Sequence, residues 1–121
     1  MARESRYNPP MQNFNESLGI RPGEGEDTVL LETKPEHQIV SGVIHFAVLT
    51  TLAEVAAATA VGGSVVPASV TVNLLRPAAP GQLVGKGRVV KRGRKLAVAE
   101  GEVYGGEKLV AKAVVTFAVL G

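Results

Sequence analysis

The chain has 121 residues, of which 45% are hydrophobic and 20% charged, and its formal net charge is +2 at pH 7. This size and composition predict one soluble globular domain, and so small a charge gives no argument for nucleic-acid binding. The absence of cysteine excludes disulfides, and with only two histidines no metal site is expected. The first ten residues lack the apolar core of a signal peptide, and turn residues interrupt the uncharged run 55–75. We therefore expect a cytoplasmic protein that does not contact membranes.

The first half of the chain leads through short elements to one long helix. Gly19 suits the end of a short helix, and a run of β-branched and apolar residues favours one strand. Alanine and leucine, followed by Gly62-Gly63, predict the long helix. The predicted elements are a loose arm over residues 1–10, a helix over Met11–Leu18, a strand over Thr28–Thr33, a loop over Pro35–Val43 and a helix over about Phe46–Val61.

Four strand-like segments follow the long helix. The Gly105-Gly106 pair is expected to close a β-hairpin, and Lys91–Lys95 forms a basic hairpin tip built round Gly93. One early helix followed by antiparallel strands predicts an α+β fold. The segments are Val65–Leu75, Leu83–Val90, Leu96–Tyr104 and Lys108–Val119.

Glu54 is the most informative residue of the chain. It is the only acidic residue between Glu36 and Glu100, and it lies in the otherwise uncharged stretch Val48–Val61. A carboxylate among apolar residues is costly unless it is paired or takes up a proton, so such a group is a candidate for a functional site. The alternative is an ordinary solvent-facing stripe of the helix. That stripe comprises Ala47, Thr50, Thr51, Glu54 and Ala58.

His45 precedes Glu54 by nine residues, which on one helix would place the two side chains on opposite sides. The spacing therefore does not support a His–Glu catalytic pair. We expect His45 to position the loop before the helix through hydrogen bonds.

The segment from His37 to Glu54 carries a recognisable pattern. It resembles the hotdog-fold acyl-CoA thioesterases related to the phenylacetate-pathway (PaaI-like) enzymes, whose pattern in this region is roughly H-x-N-x-x-G-x-V-H-G-G-x-x-x-x-L-x-D/E. Five positions match at the same spacing, namely His37, Gly42, His45, Leu52 and Glu54. Further similar segments are Asn73–Ala78, Arg92–Arg94 and Leu109–Phe117, so the resemblance covers roughly residues 14–119.

Three features of the family's pattern are changed, at four residues. Phe46-Ala47 replaces a glycine pair, and Ile39 replaces an asparagine. Pro67 stands where the family has a serine or threonine that helps to place water, with Ser69 and Thr71 as shifted candidates.

The resemblance implies a hotdog fold, in which an antiparallel sheet of five or six strands wraps one long helix. It implies hydrolysis of an acyl-CoA thioester, with Glu54 as general base or as nucleophile. The expected catalytic set is Glu54, His45 and the Ala47 N–H, whose place at a helix N-terminus suits an oxyanion donor. No cofactor is expected, because coenzyme A is part of the substrate.

The resemblance also suggests substrate contacts and an assembly. Phe46 would narrow the acyl pocket, with plain core packing as the alternative. The basic tip would hold the phosphates of coenzyme A, with a solvated turn as the alternative. Exposed strand edges predict a homodimer, doubled to a homotetramer, with Glu54 near a subunit interface. The expected substrate-binding residues are Phe46, Gly42, Ser69, Thr71, Arg76, Arg92 and Arg94.

Two other functions stay open at this point. Phe46, Ile39 and Pro67 favour a non-catalytic acyl-CoA or acyl-ligand binding module on the same fold. A hotdog hydratase or dehydratase is less consistent with the sequence, because the Asp/His pair expected for that chemistry is not visible.

Overall fold

The computed structural model of the chain describes residues 4–8 and 13–120. Short elements come first, then one long helix, then four long strands. In chain order they are α1 (Phe14–Leu18), β1 (Arg21–Pro22), β2 (Thr28–Glu32), a 3₁₀ turn (Pro35–His37), β3 (Gln38–Val40), β4 (Val43–Ile44), α2 (Phe46–Val61), β5 (Val65–Leu74), β6 (Gln82–Arg92), β7 (Leu96–Gly105) and β8 (Lys108–Val119).

The large sheet is antiparallel, with the strand order β1-β2-β6-β7-β8-β5, while β3 pairs only with β4. α2 packs on one face of this sheet, mainly against β6, β7 and β8. Strands β6 and β7 need glycine at positions 87 and 101, where α2 approaches them. A Cβ on Gly87 would collide with the carbonyl of Ala56, and a Cβ on Gly101 with the carbonyl of Ala53. The helix therefore lies directly on the strand backbones, and the predicted α+β hotdog fold is confirmed.

The core lies between α2 and the face of the sheet on which it packs. Its largest fully buried side chains include Phe117, Leu31, Leu52 and Leu83, contributed by strands and helix alike. The alanines of α2 belong to the same core, since small residues allow the helix to approach the sheet closely. This packing fixes which stripe of α2 stays outside the core.

The N-terminal segment is more firmly attached than the sequence predicts. Ser5 Oγ donates to the carbonyl of Thr28, and the Arg6 N–H donates to the carbonyl of Glu26 at 2.8 Å. Tyr7 is only 9% exposed and belongs to the core. The expectation of a loose arm thus differs from the structure at residues 5–7, because the partners of Ser5 and Arg6 lie twenty or more residues away in sequence. The predicted arm's residues 1–3 and 9–10 lie outside the described residues, as do residues 11–12 of the first predicted helix.

The predicted loop Pro35–Val43 contains a 3₁₀ turn and a small hairpin. Gly42 has a φ of +85°, which glycine tolerates, and its N–H donates to Gln38 Oε1 at 2.7 Å. This local turn pairs β3 with β4 and leads the chain into α2.

β5 is an edge strand. It pairs with β8 on one side, and no strand of the described chain pairs with its other side. Three large apolar residues of this strand, Val66, Val70 and Leu74, are exposed. Such an edge is usually covered or paired in a soluble protein.

Among the described residues, no helix has the length and apolar character needed to cross a membrane.

Candidate active site

Glu54 lies in the middle of α2, on the stripe that the sheet does not bury. Glu54 lines an open pocket of about 380 Å³. Burial raises the pKa of Glu54 above its usual value, because the charged form loses water on entering this environment. A carboxyl group of this kind can take up and release a proton nearer to neutral pH than an exposed glutamate.

The pocket has two walls of different character. The helix wall comes from the C-terminal half of α2 and the start of β5, including Val55, Ala58 and Val65. The arm wall is formed by Arg6, Tyr7 and Asn8, with Asn13 and Asn15 beside it. The helix wall is thus largely apolar, whereas the arm wall carries amide, phenol and guanidinium groups.

His45 caps the N-terminus of α2. Its Nδ1 accepts the Ala47 N–H at 2.9 Å, and its ring stacks on Phe46 with 4.6 Å between ring centroids. The His45 N–H donates to the carbonyl of His37 at 2.8 Å. His45 therefore holds the entry to the helix, and the Ala47 N–H, expected as an oxyanion donor, already has an acceptor.

Unlike the Ala47 N–H, the Phe46 N–H donates to no acceptor within the described part of the chain. It belongs to the first residue of α2, where helix geometry leaves the main-chain N–H without a partner in its own helix. The side chain of Phe46 is 53% exposed, so it is not a core residue of this chain.

Glu54 and the N-terminus of its own helix are far apart. Eight residues separate Phe46 from Glu54, which corresponds to about 12 Å along the helix axis. This axial separation is about four times the length of a hydrogen bond, so it favours a thioester carbonyl that contacts only one of the two groups of a given chain.

Ser69 and Thr71 are not brought to Glu54. A register shift between Pro67 and Ser69 places Ser69 opposite Thr116 and Thr71 opposite Val114. These partners alternate with the buried residues Val115 and Ala113, so Ser69 and Thr71 lie on the sheet face away from α2. Without the bulge, alternation from Pro67 would place Ser69 and Thr71 on the sheet face that packs on α2.

The predicted cationic residues lie at opposite ends of α2. Arg92 donates from Nη2 to the carbonyl of Val61, the last residue of the helix, and Arg94 is exposed in the adjacent tip. Arg76 follows β5 at the other end, where Ala78 accepts the Ile44 N–H at 2.9 Å. Within one chain these arginines do not form one cluster, and Arg92 has a role in capping the helix.

Two buried hydroxyl groups near this region have no hydrogen-bond partner among the described residues. They belong to Tyr7, in the arm wall, and to Thr50, one turn before Glu54 on α2. Thr59, by contrast, donates to the carbonyl of Val55 at 2.8 Å, as a helical threonine commonly does. Buried polar groups without a partner are rare enough to require an explanation.

Sequence reasoning missed Tyr7, Thr50 and the Phe46 N–H as site candidates. The unpaired N–H groups of a first helical turn gave a general indication for Phe46, and Thr50 shares the stripe of Glu54. Tyr7 reaches the site only through long-range folding, so no local pattern in the sequence indicates it. The described residues contain no group of three or more metal-binding side chains.

Comparison with known proteins identifies the family. Residues 34–118 match the acyl-CoA thioesterase N-terminal domain family, so the chain belongs to that family and is by class an acyl-CoA thioesterase. No curated protein matches the chain in sequence.

Solved structures agree with this assignment. A conserved protein of Pseudomonas aeruginosa is 29% identical with a TM-score of 0.80, and the match covers 91% of this chain and 95% of that one. A phenylacetic acid degradation-related protein of Ralstonia eutropha is 26% identical, covers 92% of both chains and has a TM-score of 0.79. A thioesterase of Haemophilus influenzae is 25% identical with a TM-score of 0.78, covering 88% of this chain and 82% of that one. The resemblance to PaaI-like thioesterases is thereby confirmed.

Proposed function

We propose that the protein hydrolyses acyl-CoA thioesters with Glu54 as the catalytic carboxylate. The observation that carries the proposal is a lone, partly buried carboxyl group with a raised pKa, lining an open pocket on the free stripe of α2. Family membership supplies the class of substrate.

As general base, Glu54 accepts a proton from a water molecule whose oxygen attacks the thioester carbon. The carbonyl oxygen gains negative charge, the C–S bond then breaks, and the coenzyme A thiolate leaves and takes the proton from Glu54. As nucleophile, a Glu54 oxygen attacks the same carbon, the thiolate leaves, and water hydrolyses the resulting anhydride. A single turnover in ¹⁸O-labelled water identifies the anhydride route if water attacks the Glu54 carbonyl carbon, because the product then keeps an unlabelled oxygen from Glu54 and Glu54 takes up the label.

The oxyanion donor in this proposal is the Phe46 N–H. The Ala47 N–H donates to His45 Nδ1, whereas the Phe46 N–H is unbonded within the described chain and lies at the positive end of the α2 dipole. An N–H fixed in this way stabilises developing negative charge without reorganisation during the reaction. His45 acts here as a positioning residue, through the helix cap.

The active site in this proposal is shared by two copies of the chain. A separation of about 12 Å argues against Phe46 and Glu54 of one chain acting on the same carbonyl. Antiparallel α2 helices in a homodimer would place Glu54 of one copy beside the helix N-terminus of the other. The unpaired, apolar edge of β5 supports such a dimer, and doubling it would give the tetramer expected from the sequence.

The same arrangement supports phosphate contacts from two chains. The N-terminal end of one α2, with Arg76 near it, would lie toward the C-terminal half of the other, where Arg94 is exposed. Guanidinium groups are suited to the phosphates of coenzyme A. Arg94 is the better candidate within the basic tip, because Arg92 binds the carbonyl of Val61.

Thr50 is proposed to orient the attacking water. It precedes Glu54 by four residues, so the two side chains are neighbours on one helix face. Its hydroxyl is without a partner in the described chain, and Ser69 and Thr71 lie on the opposite face of the sheet. Thr50 would thus supply the function that the family obtains from a strand residue.

The experiment is a turnover screen of the purified protein against short, long and aromatic acyl-CoAs, with Glu54→Gln and Glu54→Ala beside it. We expect hydrolysis by the wild type and losses of about 10²–10⁴-fold in kcat for both variants, the range for a general base. Folded variants with near-native turnover would contradict the role of Glu54. Binding of acyl-CoA without any turnover by the wild type would instead indicate the non-catalytic binding module.

A further inference from the structure

We propose that the arm wall, Arg6 to Asn8, selects the acyl group, and that the selected acyl group is short and carries a hydroxyl or oxo substituent. This inference rests on the proposed function and specifies the substrate class of the same pocket.

The size of the pocket favours a short acyl group. At about 380 Å³ it is near the lower end of the roughly 300–1,000 Å³ typical of small-molecule sites. A long alkyl chain would extend beyond its walls. The volume therefore suits a small acyl group adjacent to Glu54.

The two walls favour a substituent of mixed polarity. The helix wall offers Val55, Ala58 and Val65 to the carbon skeleton, while the arm wall offers the side chains of Tyr7 and Asn8. The Tyr7 hydroxyl is buried and lacks a hydrogen-bond partner among the described residues. A substituent that donates or accepts a hydrogen bond would satisfy polar groups of this wall, whereas an unsubstituted alkyl group would leave them unpaired.

Hydrogen bonds hold the arm wall in place, so that it can discriminate between acyl groups. Arg6 Nε donates to Asp27 Oδ1 at 2.8 Å, and the Arg6 N–H binds the carbonyl of Glu26. The Tyr7 N–H donates to Ser5 Oγ at 3.1 Å. Burial and the charge of Glu16 raise the pKa of Tyr7, so its hydroxyl remains protonated and can donate. Selection by fixed hydrogen-bonding groups is more stringent than selection by shape alone.

The test compares matched pairs of short acyl-CoAs that differ by one hydroxyl, butyryl- with 3-hydroxybutyryl-CoA and hexanoyl- with 3-hydroxyhexanoyl-CoA. The variants are Tyr7→Phe and Asn8→Leu. Glu107→Ala is the control, since Glu107 is exposed in the turn between β7 and β8, which lies beside Leu83 at the start of β6 and not beside Gly87, whose N–H donates to the Asp27 carbonyl near the arm. We expect the wild type and the control to prefer each hydroxylated member by about five- to tenfold in kcat/KM, the scale of one hydrogen bond. We expect the two arm variants to lose this preference, because the KM for the hydroxylated member rises toward that for the unsubstituted member.

Equal turnover of both members of each pair by wild type and arm variants would overturn the inference while leaving thioester hydrolysis intact. A preference that both arm variants keep would also overturn it. Absence of hydrolysis with every acyl-CoA would overturn the proposed function and this inference together, so the two failures are distinguishable. Thermal unfolding of each variant identifies any that fails to fold, and Asn8→Ala then replaces it.

Discussion

Replacing Phe46 with proline removes one main-chain N–H from α2 and little else. Proline is well accepted at the first position of a helix, and the residue before it should be extended. His45 meets that requirement with φ −61° and ψ 138°. The variant Phe46→Pro therefore deletes the proposed oxyanion donor while the helix can remain intact.

The expected effect follows from the role of that N–H. Loss of one preorganised oxyanion donor lowers kcat by about 10²–10³-fold, which corresponds to about 2.7–4 kcal/mol. The proline also removes the ring that stacks on His45 at 4.6 Å between centroids. Phe46→Ala is the matched control, because it removes the same ring and keeps the N–H. Since the ring is 53% exposed, we expect both variants to keep most of the wild-type stability.

The assay follows release of the coenzyme A thiol with a thiol-reactive dye, using saturating acyl-CoA and equal amounts of folded protein. We expect Phe46→Ala to stay within about tenfold of wild type and Phe46→Pro to fall well below it. Equal kcat values for the two variants, with unfolding curves like that of wild type, would refute the assignment of the Phe46 N–H. Ala47 would then be the remaining donor, after release from His45 Nδ1.

Three further outcomes are expected. Thr50→Val should lower kcat by about tenfold, yet leave stability unchanged or raise it by about 1 kcal/mol, because it removes a buried hydroxyl without a partner; a normal kcat would contradict its role with water. Val70→Lys should convert the oligomer to a monomer in light scattering, whereas Val114→Lys should leave at least a dimer. These two valines are similarly exposed, at 42% and 41%, but only Val70 lies on the free edge strand, so equal effects would count against the β5 interface. Glu54→Gln should stabilise the fold at pH 7 by about 0.5–2 kcal/mol, as functional-site replacements can. The pKa of Glu54 is raised in the folded state, so the folded protein binds this proton more tightly than the unfolded chain does. The resulting contribution to the free energy of unfolding is complete below the ordinary pKa of 4.5 and is lost as the pH rises. Chemical denaturation at pH 7 and at a pH below 4.5 should show a higher free energy of unfolding for Glu54→Gln than for the wild type at pH 7 alone. A variant less stable than the wild type at pH 7 would contradict the burial argument.

Much of the fold could be predicted from local sequence. Alanine and leucine between His45 and Gly62 define α2 because they favour helix. A hairpin follows Tyr104 as expected, but its two turn residues are Gly106 and Glu107, one position later than the predicted Gly105-Gly106, because Gly105 still pairs with Lys108. Glu54 could be selected because no other acidic residue lies near it in sequence. These features depend on short-range propensity and spacing, which a sequence displays directly.

The remaining details depend on contacts that the sequence does not display. The bulge between Pro67 and Ser69 reverses the face of Ser69, and a single extra residue in a strand has no reliable sequence pattern. The occupied Ala47 N–H depends on the orientation of the His45 ring. Tyr7 enters the core through hydrogen bonds from neighbouring residues to the distant Thr28 and Glu26.

Complementation between two inactive variants tests the central claim most directly, namely that Glu54 of one copy acts with the α2 N-terminus of another. Glu54→Gln and Phe46→Pro chains are co-refolded in equal amounts, and thioester hydrolysis is compared with that of each variant alone. In a mixed dimer, one of the two sites combines an intact Glu54 with an intact Phe46 N–H. Since half of randomly formed dimers are mixed, the account predicts recovery of about a quarter of wild-type activity. A mixture that forms mixed dimers but is no more active than its components would contradict the shared site.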